Sequence, residues 1–193
     1  MSLPKEDRTE IPYLVPITYR DLKPNYKSFT RPMLSERAIA LGRMFQRIST
    51  GGMQPNGVGG VLKDGENVMA FRGVGDADMA MGYHFLVIPK NMPHLESIHD
   101  LDGNNAEHHR VVDNMATFGY GICVENNLTD QPICMGFHND PTVGYLHMHV
   151  LVGHLTECGY RERHRWVSVK NVFNDNPNPY QQLGIDVSRL LGG

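Results

Sequence analysis

The segment from Tyr145 to Val152 constrains the fold most, because its histidines alternate with apolar residues over the length of one strand. Successive side chains of a β-strand point to opposite faces of the sheet. His147 and His149 are therefore expected on one solvent-reachable face, about 7 Å apart, where both can touch one phosphate-sized group. The residues of the other face should pack into the core: Leu146, Met148, Val150 and Val152.

Two kinds of site fit this pair of histidines. Alternate strand histidines can bind zinc, with a third ligand from His84, His138 or Cys134. They can also hold a phosphoryl group and form a covalent intermediate with it. The spacing by itself favours neither chemistry.

The composition predicts an ordinary globular protein. A chain of 193 residues is long enough for one domain with its own core, and a net charge of −3 gives no reason to expect a surface that coats nucleic acid. Three cysteines without C-x-x-C spacing fit a reducing compartment. The start of the chain lacks the plan of a signal peptide, and no apolar run is long enough to cross a membrane. We therefore expect a cytoplasmic protein, with the nucleus as the alternative, and no membrane partner.

Hydrophobic spacing predicts two helices. One follows Leu34 and ends at Gly51 and Gly52, and the second begins near Asn105 and ends at Gly119. The predicted strands are a hairpin over 59–71 with its turn at 63–66, and single strands over 83–88, 133–137 and 144–152.

The arrangement of these elements predicts the fold class. The hairpin implies antiparallel pairing, and helices do not alternate regularly with strands, so the class is α+β. Residues 161–173 fit either a helix or a strand.

Three separated segments resemble the histidine triad (HIT) proteins. Tyr83–Lys90 resembles their strand T-H-F-L-V-I-P-K, and Met135–His138 with Pro141–Val143 resembles the strand and loop that precede the triad. Tyr145–Leu151 is similar to the triad itself, with tyrosine in place of the first histidine. The similarity runs over about 59–153 and is greatest to the histidine triad nucleotide-binding (Hint) proteins and the catalytic domain of aprataxin. It makes phosphate chemistry the preferred interpretation over a metal site.

The resemblance implies roles for the residues of the triad and its loop. His147 would be the nucleophile that forms a nucleotidyl-histidine, and His149 would donate a hydrogen bond to phosphate. Thr142 stands where the family has serine and would hold the phosphate. Tyr145 can still hydrogen-bond near the phosphate site but cannot switch as an imidazole does, which implies reduced or retuned activity.

Further residues receive roles from the same resemblance. His84 would lie beside the triad or the phosphate. Asp76 would bind the ribose, with Asp78 as its competitor, and Phe71 would form a wall of the base pocket. The implied chemistry requires no metal and no cofactor.

The resemblance also implies an organisation. We expect an antiparallel sheet of about five strands flanked by helices, often as a homodimer. Residues 1–50 would form an arm and helix packed on the body, 51–155 the HIT-like nucleotide-binding core, and 156–193 a C-terminal extension.

The expected function is hydrolysis of a nucleoside 5′-monophosphate conjugate of the phosphoramidate or aminoacyl-adenylate type, with a purine nucleotide as the substrate. Two alternatives remain: a hydrolase of dinucleoside polyphosphates or cap-like dinucleotides, and a nucleotide-binding protein whose altered triad does not turn over. No stable nucleic-acid partner is expected, because Cys158 and His164 are too few for a C-terminal zinc finger and the arm before residue 32 is not strongly basic.

Overall fold

The described part of the chain centres on one antiparallel sheet. The computed structural model describes residues 33–51, 60–72, 79–80, 82–162 and 165–173. Six strands lie within these residues: β1 (Val61–Asp64), β2 (Val68–Arg72), β3 (Tyr83–Pro89), β4 (Ile133–His138), β5 (Met148–Val152) and β6 (Trp166–Ser168). Their order across the sheet is β1-β2-β3-β5-β4-β6, and all neighbours are antiparallel.

Three α-helices lie in the part of the chain that the structure describes. They are α1 (Glu36–Ser49), α2 (Ala106–Glu125) and α3 (Glu157–Glu162). The predicted α+β class, the hairpin and the two long helices are confirmed. The sheet has six strands, whereas about five are expected. Residues 161–173, whose pattern fits either a helix or a strand, supply both the end of α3 and β6. No helix in the described residues is long and apolar enough to cross a bilayer.

α2 covers one face of the sheet. Asn105 caps its first turn by accepting from the Glu107 N–H at 2.9 Å. The predicted end at Gly119 is wrong, since the helix continues to Glu125. Gly119 is a packing position: a Cβ there would lie 2.9 Å from Val150 Cγ2, so its missing side chain lets the helix approach β5.

α1 covers part of the other face. Ser35 caps it by accepting from the Ala38 N–H at 3.1 Å. Phe45 and Ile48 pack with Phe71 in a second apolar cluster over β2 and β3. α1 therefore stabilises the fold by removing apolar surface on this side of the sheet from water.

The histidine segment departs from its prediction in two ways. β5 begins at Met148, because the preceding backbone bonds elsewhere: the Gly144 N–H donates to Ala38 O at 2.8 Å and the Leu146 N–H to Leu95 O at 2.7 Å. The alternation is confirmed for the core face, where Leu146, Met148, Val150 and Val152 are buried beneath α2. The solvent-reachable placement of the histidines is wrong.

Candidate active site

His147 is held by the backbone of its own segment. It is 6% exposed, and its Nδ1 lies 2.7 Å from the carbonyl oxygen of Tyr145. A carbonyl only accepts, so Nδ1 carries the hydrogen and the lone pair of the neutral ring is at Nε2. Burial lowers the pKa of His147, and the hydrogen bond to the carbonyl opposes this in part. The ring is therefore a neutral base at pH 7.

The tautomer of His149 follows from a chain of hydrogen bonds across β3 and β5. The Met79 N–H donates to His84 Nδ1 at 3.3 Å, so His84 carries its hydrogen at Nε2. That Nε2 donates to His149 Nδ1 at 3.0 Å. The hydrogen of neutral His149 is then at Nε2, a buried atom that has no hydrogen-bond partner in the described structure.

His149 lies at the centre of a cluster of four imidazoles. Its ring centroid is 4.4 Å from that of His138, 5.1 Å from that of His147 and 5.3 Å from that of His84. Burial first, and then the neighbouring histidines and Arg165, lower the pKa of His149 well below 6.5. His149 is therefore neutral in the free protein.

His138 lies in this cluster, although the sequence analysis names it only as a candidate zinc ligand and gives it no role in phosphate chemistry. Gly136 pairs with His149 across β4 and β5, and His138 lies two residues further along the same face. The signal was available in the sequence, because alternation along 133–138 combined with antiparallel pairing to the histidine strand places this side chain beside the triad.

We expect the folded state to lose stability as the pH falls below neutrality. The unfolded chain takes up protons first, because burial lowers the folded-state pKa of both His147 and His149. The contribution is fully present above the unfolded pKa of about 6.5 and is lost as the pH falls from there through the lowered folded values. The midpoint of urea unfolding, measured between about pH 8 and pH 5, tests this.

Two variants test whether the buried histidines cause this loss of stability. His149→Asn removes one titration and should give a shallower loss of stability, whereas His94→Asn at an exposed position should follow the parent protein. An unfolding midpoint that stays constant over this pH range would contradict the prediction.

Aromatic side chains flank the histidine cluster. The Phe45 ring of α1 lies 6.0 Å from His147, and the Trp166 ring of β6 lies 6.1 Å from His149. These contacts contribute to the burial of the histidines, since α1 and the Trp166 side chain lie over the face on which the sequence predicts solvent. A small pocket beside His147 is also lined by Glu96, Ser97, His138 and Pro141.

The hydroxyl of Tyr145 is hydrogen-bonded between α1 and β3, and its predicted role beside the phosphate stays a prediction. Tyr145 is 1% exposed, its hydroxyl donates to the carbonyl of Pro89 at 2.9 Å and lies 3.0 Å from Ser49 Oγ. Burial raises the pKa of its hydroxyl. The side chain therefore ties α1 to the end of β3, and only the backbone carbonyl of Tyr145 contacts His147.

The other predicted residues have mixed outcomes. Phe71 is fully buried and packs edge-on against Phe45 at 5.1 Å between ring centroids, and its predicted role in a base pocket stays a prediction. Thr142 lies exposed on the loop between β4 and β5. Asp76 and Asp78 lie outside the described residues, as do 1–32 of the predicted arm and 174–193 of the extension.

A metal site has no ligand set in the described residues. No group of three or more His, Cys, Asp or Glu side chains there is placed to hold one ion. In the tautomers assigned above, His147 thus presents a lone pair at Nε2 and His149 an N–H donor at Nε2.

Comparison with known families identifies the class. The model of the family described as "Scavenger mRNA decapping enzyme C-term binding" matches residues 43–164, more than half of the chain. The protein belongs to this family, which is part of the histidine triad group, and it has the fold of a HIT-type nucleotide-binding hydrolase. No curated protein matches the sequence.

Solved structures with a similar fold include three of Hnt3. "Hnt3 in complex with DNA and guanosine" is 18% identical over 75% of this chain and 79% of that one, with a TM-score of 0.47. A second structure, "Hnt3", is 16% identical over 72% and 78%, with a TM-score of 0.50. The aprataxin ortholog Hnt3 from Schizosaccharomyces pombe is 17% identical over 68% and 71%, with a TM-score of 0.42. At these identities the likeness concerns the fold.

The expectation that there is no nucleic-acid partner is corrected by this finding. A protein of similar fold has been solved in complex with DNA.

Proposed function

We propose that this protein hydrolyses nucleoside 5′-monophosphate conjugates through a nucleotidyl intermediate on His147. The substrates would be of the phosphoramidate or aminoacyl-adenylate type, and the nucleotide a purine nucleotide. The observation that carries the proposal is the 2.7 Å contact between His147 Nδ1 and the carbonyl of Tyr145, which leaves the Nε2 lone pair available for attack.

The proposed reaction has two displacements. In the first, Nε2 of His147 attacks the α-phosphorus, and the bond to the leaving group breaks with its electron pair. In the second, a water oxygen attacks the same phosphorus, the P–N bond breaks and its electron pair returns to Nε2. An amine that leaves in the first step takes one proton from solvent, the attacking water returns one proton to solvent in the second, and the mononucleotide is released.

The neighbouring residues would act on the charges that develop. The Nε2–H of His149 would donate to a phosphate oxygen, where a preorganised donor in a buried site stabilises negative charge. His84 would hold His149 in the tautomer that offers this hydrogen. Thr142 would contribute its hydroxyl from the loop between β4 and β5. Tyr145 would stand at the first triad position and retune the nucleophile through its backbone alone.

Trapping the intermediate tests the proposal. The protein is mixed with a fluorogenic adenosine phosphoramidate, quenched within one turnover and digested, and the peptides are analysed by mass spectrometry. We expect one adenylyl group on the peptide that contains His147 and none on the peptide that contains the exposed His94. Saturable nucleotide binding without any adduct or turnover would instead support a non-catalytic binding protein.

A second candidate reaction is favoured by one feature of the site. Cleavage of a dinucleoside polyphosphate or cap-like dinucleotide needs donors for an anionic leaving group. The indole ring of Trp166 on β6 lies 6.1 Å from the His149 ring, and its N–H has no partner in the described structure. A homodimer remains a prediction of the family resemblance, and a cytoplasmic location remains a prediction of the composition.

A further inference from the structure

Trp166 of β6 and the preceding Arg165 lie beside the histidine cluster and follow the family match, which ends at residue 164. Trp166 pairs with His138 across β4 and β6, so both side chains lie on the same face of the sheet. Their ring centroids are 6.2 Å apart. β6 therefore extends the candidate site on the side away from α1.

The missing side chain of Gly136 leaves room for the indole of Trp166 beside His149. This glycine is the cross-strand partner of His149, and a Cβ on it would be 2.6 Å from Trp166 Cε2. The indole thus occupies the space that a side chain at position 136 would fill. It lies 6.1 Å from the His149 ring, centroid to centroid.

The indole N–H is a buried donor. Trp166 is 1% exposed, and its Nε1 has no hydrogen-bond partner in the described structure. Buried N–H groups without an acceptor are rare in native proteins, and one next to a binding site points to an acceptor that arrives with the ligand.

Arg165 contributes a second such donor. Its Nη1 donates to Glu162 Oε2 at 2.7 Å and its Nη2 to the carbonyl of Asp140, but its buried Nε has no partner among the described residues. The positive charge of Arg165 also lowers the pKa of His149. Arg165, Trp166 and His149 therefore each carry one buried donor without an acceptor in the described structure.

The hydrogen-bond chain through His84 also favours a leaving group that departs as an anion. Because His84 donates to Nδ1 of His149, that nitrogen cannot also carry a hydrogen without breaking the contact. His149 is then a neutral donor rather than an imidazolium acid. A neutral donor stabilises a group that departs as an anion but does not protonate an amine.

We propose that Trp166 and Arg165, with the Nε2–H of His149, form a subsite for an oxyanion carried by the leaving group, either a phosphate or a carboxylate. This rests on the proposed function and narrows it: an acyl phosphate or a phosphoanhydride is the preferred bond, and a phosphoramidate is a poorer substrate.

Substrates that share the adenylyl group and differ in the leaving group test the subsite. Diadenosine triphosphate releases a phosphate oxyanion, an acyl adenylate a carboxylate, and an adenosine phosphoramidate an amine. kcat/KM is measured for the parent, for Trp166→Phe, and for Tyr120→Phe on the opposite face of the sheet. Trp166→Phe keeps an aromatic ring and removes the N–H donor.

We expect Trp166→Phe to lower kcat/KM about tenfold for the oxyanion-releasing substrates, the loss of one hydrogen bond to a charged group, and to leave the phosphoramidate unchanged. The two oxyanion substrates distinguish phosphate from carboxylate. Tyr120→Phe should match the parent. Equal effects of Trp166→Phe on all three substrates, or none, would overturn the subsite.

A binding measurement tests the leaving-group subsite even if no substrate is turned over. Trp166 is the single tryptophan of the chain, so its fluorescence reports directly on the subsite. Inorganic pyrophosphate should change its emission saturably, and calorimetry should show about tenfold weaker binding to Trp166→Phe. Unchanged emission, or equal affinity in both proteins, would refute the subsite separately from the nucleophile.

Discussion

Replacing His147 by alanine is expected to lower turnover of an adenylyl substrate by roughly a thousandfold or more, because the variant has no lone pair to form the covalent intermediate. Binding of AMP should be retained to a much larger extent, since the donor of His149 remains. Steady-state hydrolysis and AMP affinity, measured on the same preparations, separate the two effects.

The controls address folding and specificity. His147 is buried, so His147→Asn, which fills more of the space, is measured beside the alanine variant, and urea unfolding is recorded for both. His94→Ala removes an exposed histidine and should match the parent. A folded His147 variant with parental turnover would show that another group is the nucleophile.

Replacing Gly42 by alanine is expected to destabilise the fold by about 3 kcal/mol, because the space for a Cβ is already occupied by backbone. A Cβ on Gly42 would lie 2.1 Å from the carbonyl oxygen of Gly144. α1 and the loop that carries Thr142 would have to separate, and the hydrogen bond from the Gly144 N–H to Ala38 O would lengthen. Urea unfolding measures the loss.

Gly121→Ala is the matched control. It makes the same change inside α2, where nothing lies within 4 Å of the added Cβ. Because alanine is the better helix former, this variant should be more stable than the parent by up to about 1 kcal/mol. If Gly42→Ala also proved neutral or stabilising, α1 would not be packed against the loop as described.

Local pattern was enough to predict much of the sheet. His84 lies on β3, His138 on β4 and His149 on β5, in segments whose apolar alternation or turn residues mark them as strands. The hairpin of β1 and β2 follows from its turn sequence. These features depend on neighbours within a few residues, which a sequence displays directly.

The sequence pattern is insufficient where a residue's partner is distant in the chain. Nothing in the residues around Tyr145 indicates that its hydroxyl contacts Ser49 of α1, 96 positions away in sequence. Gly119 resembles a helix end, and only contact with Val150 shows why a glycine lies there. β6 is too short to be distinguished by period.

The residues able to do chemistry are identifiable from local pattern, because strand alternation and the acid–base properties of imidazole need no distant contact. Their protonation states and surroundings follow from contacts between distant segments: which nitrogen of His147 holds the hydrogen, which nitrogen of His149 offers a donor, and which rings, Phe45 and Trp166, flank them. These states depend on hydrogen bonds and burial supplied by α1, β3 and β6, whose positions result from packing across the whole sheet.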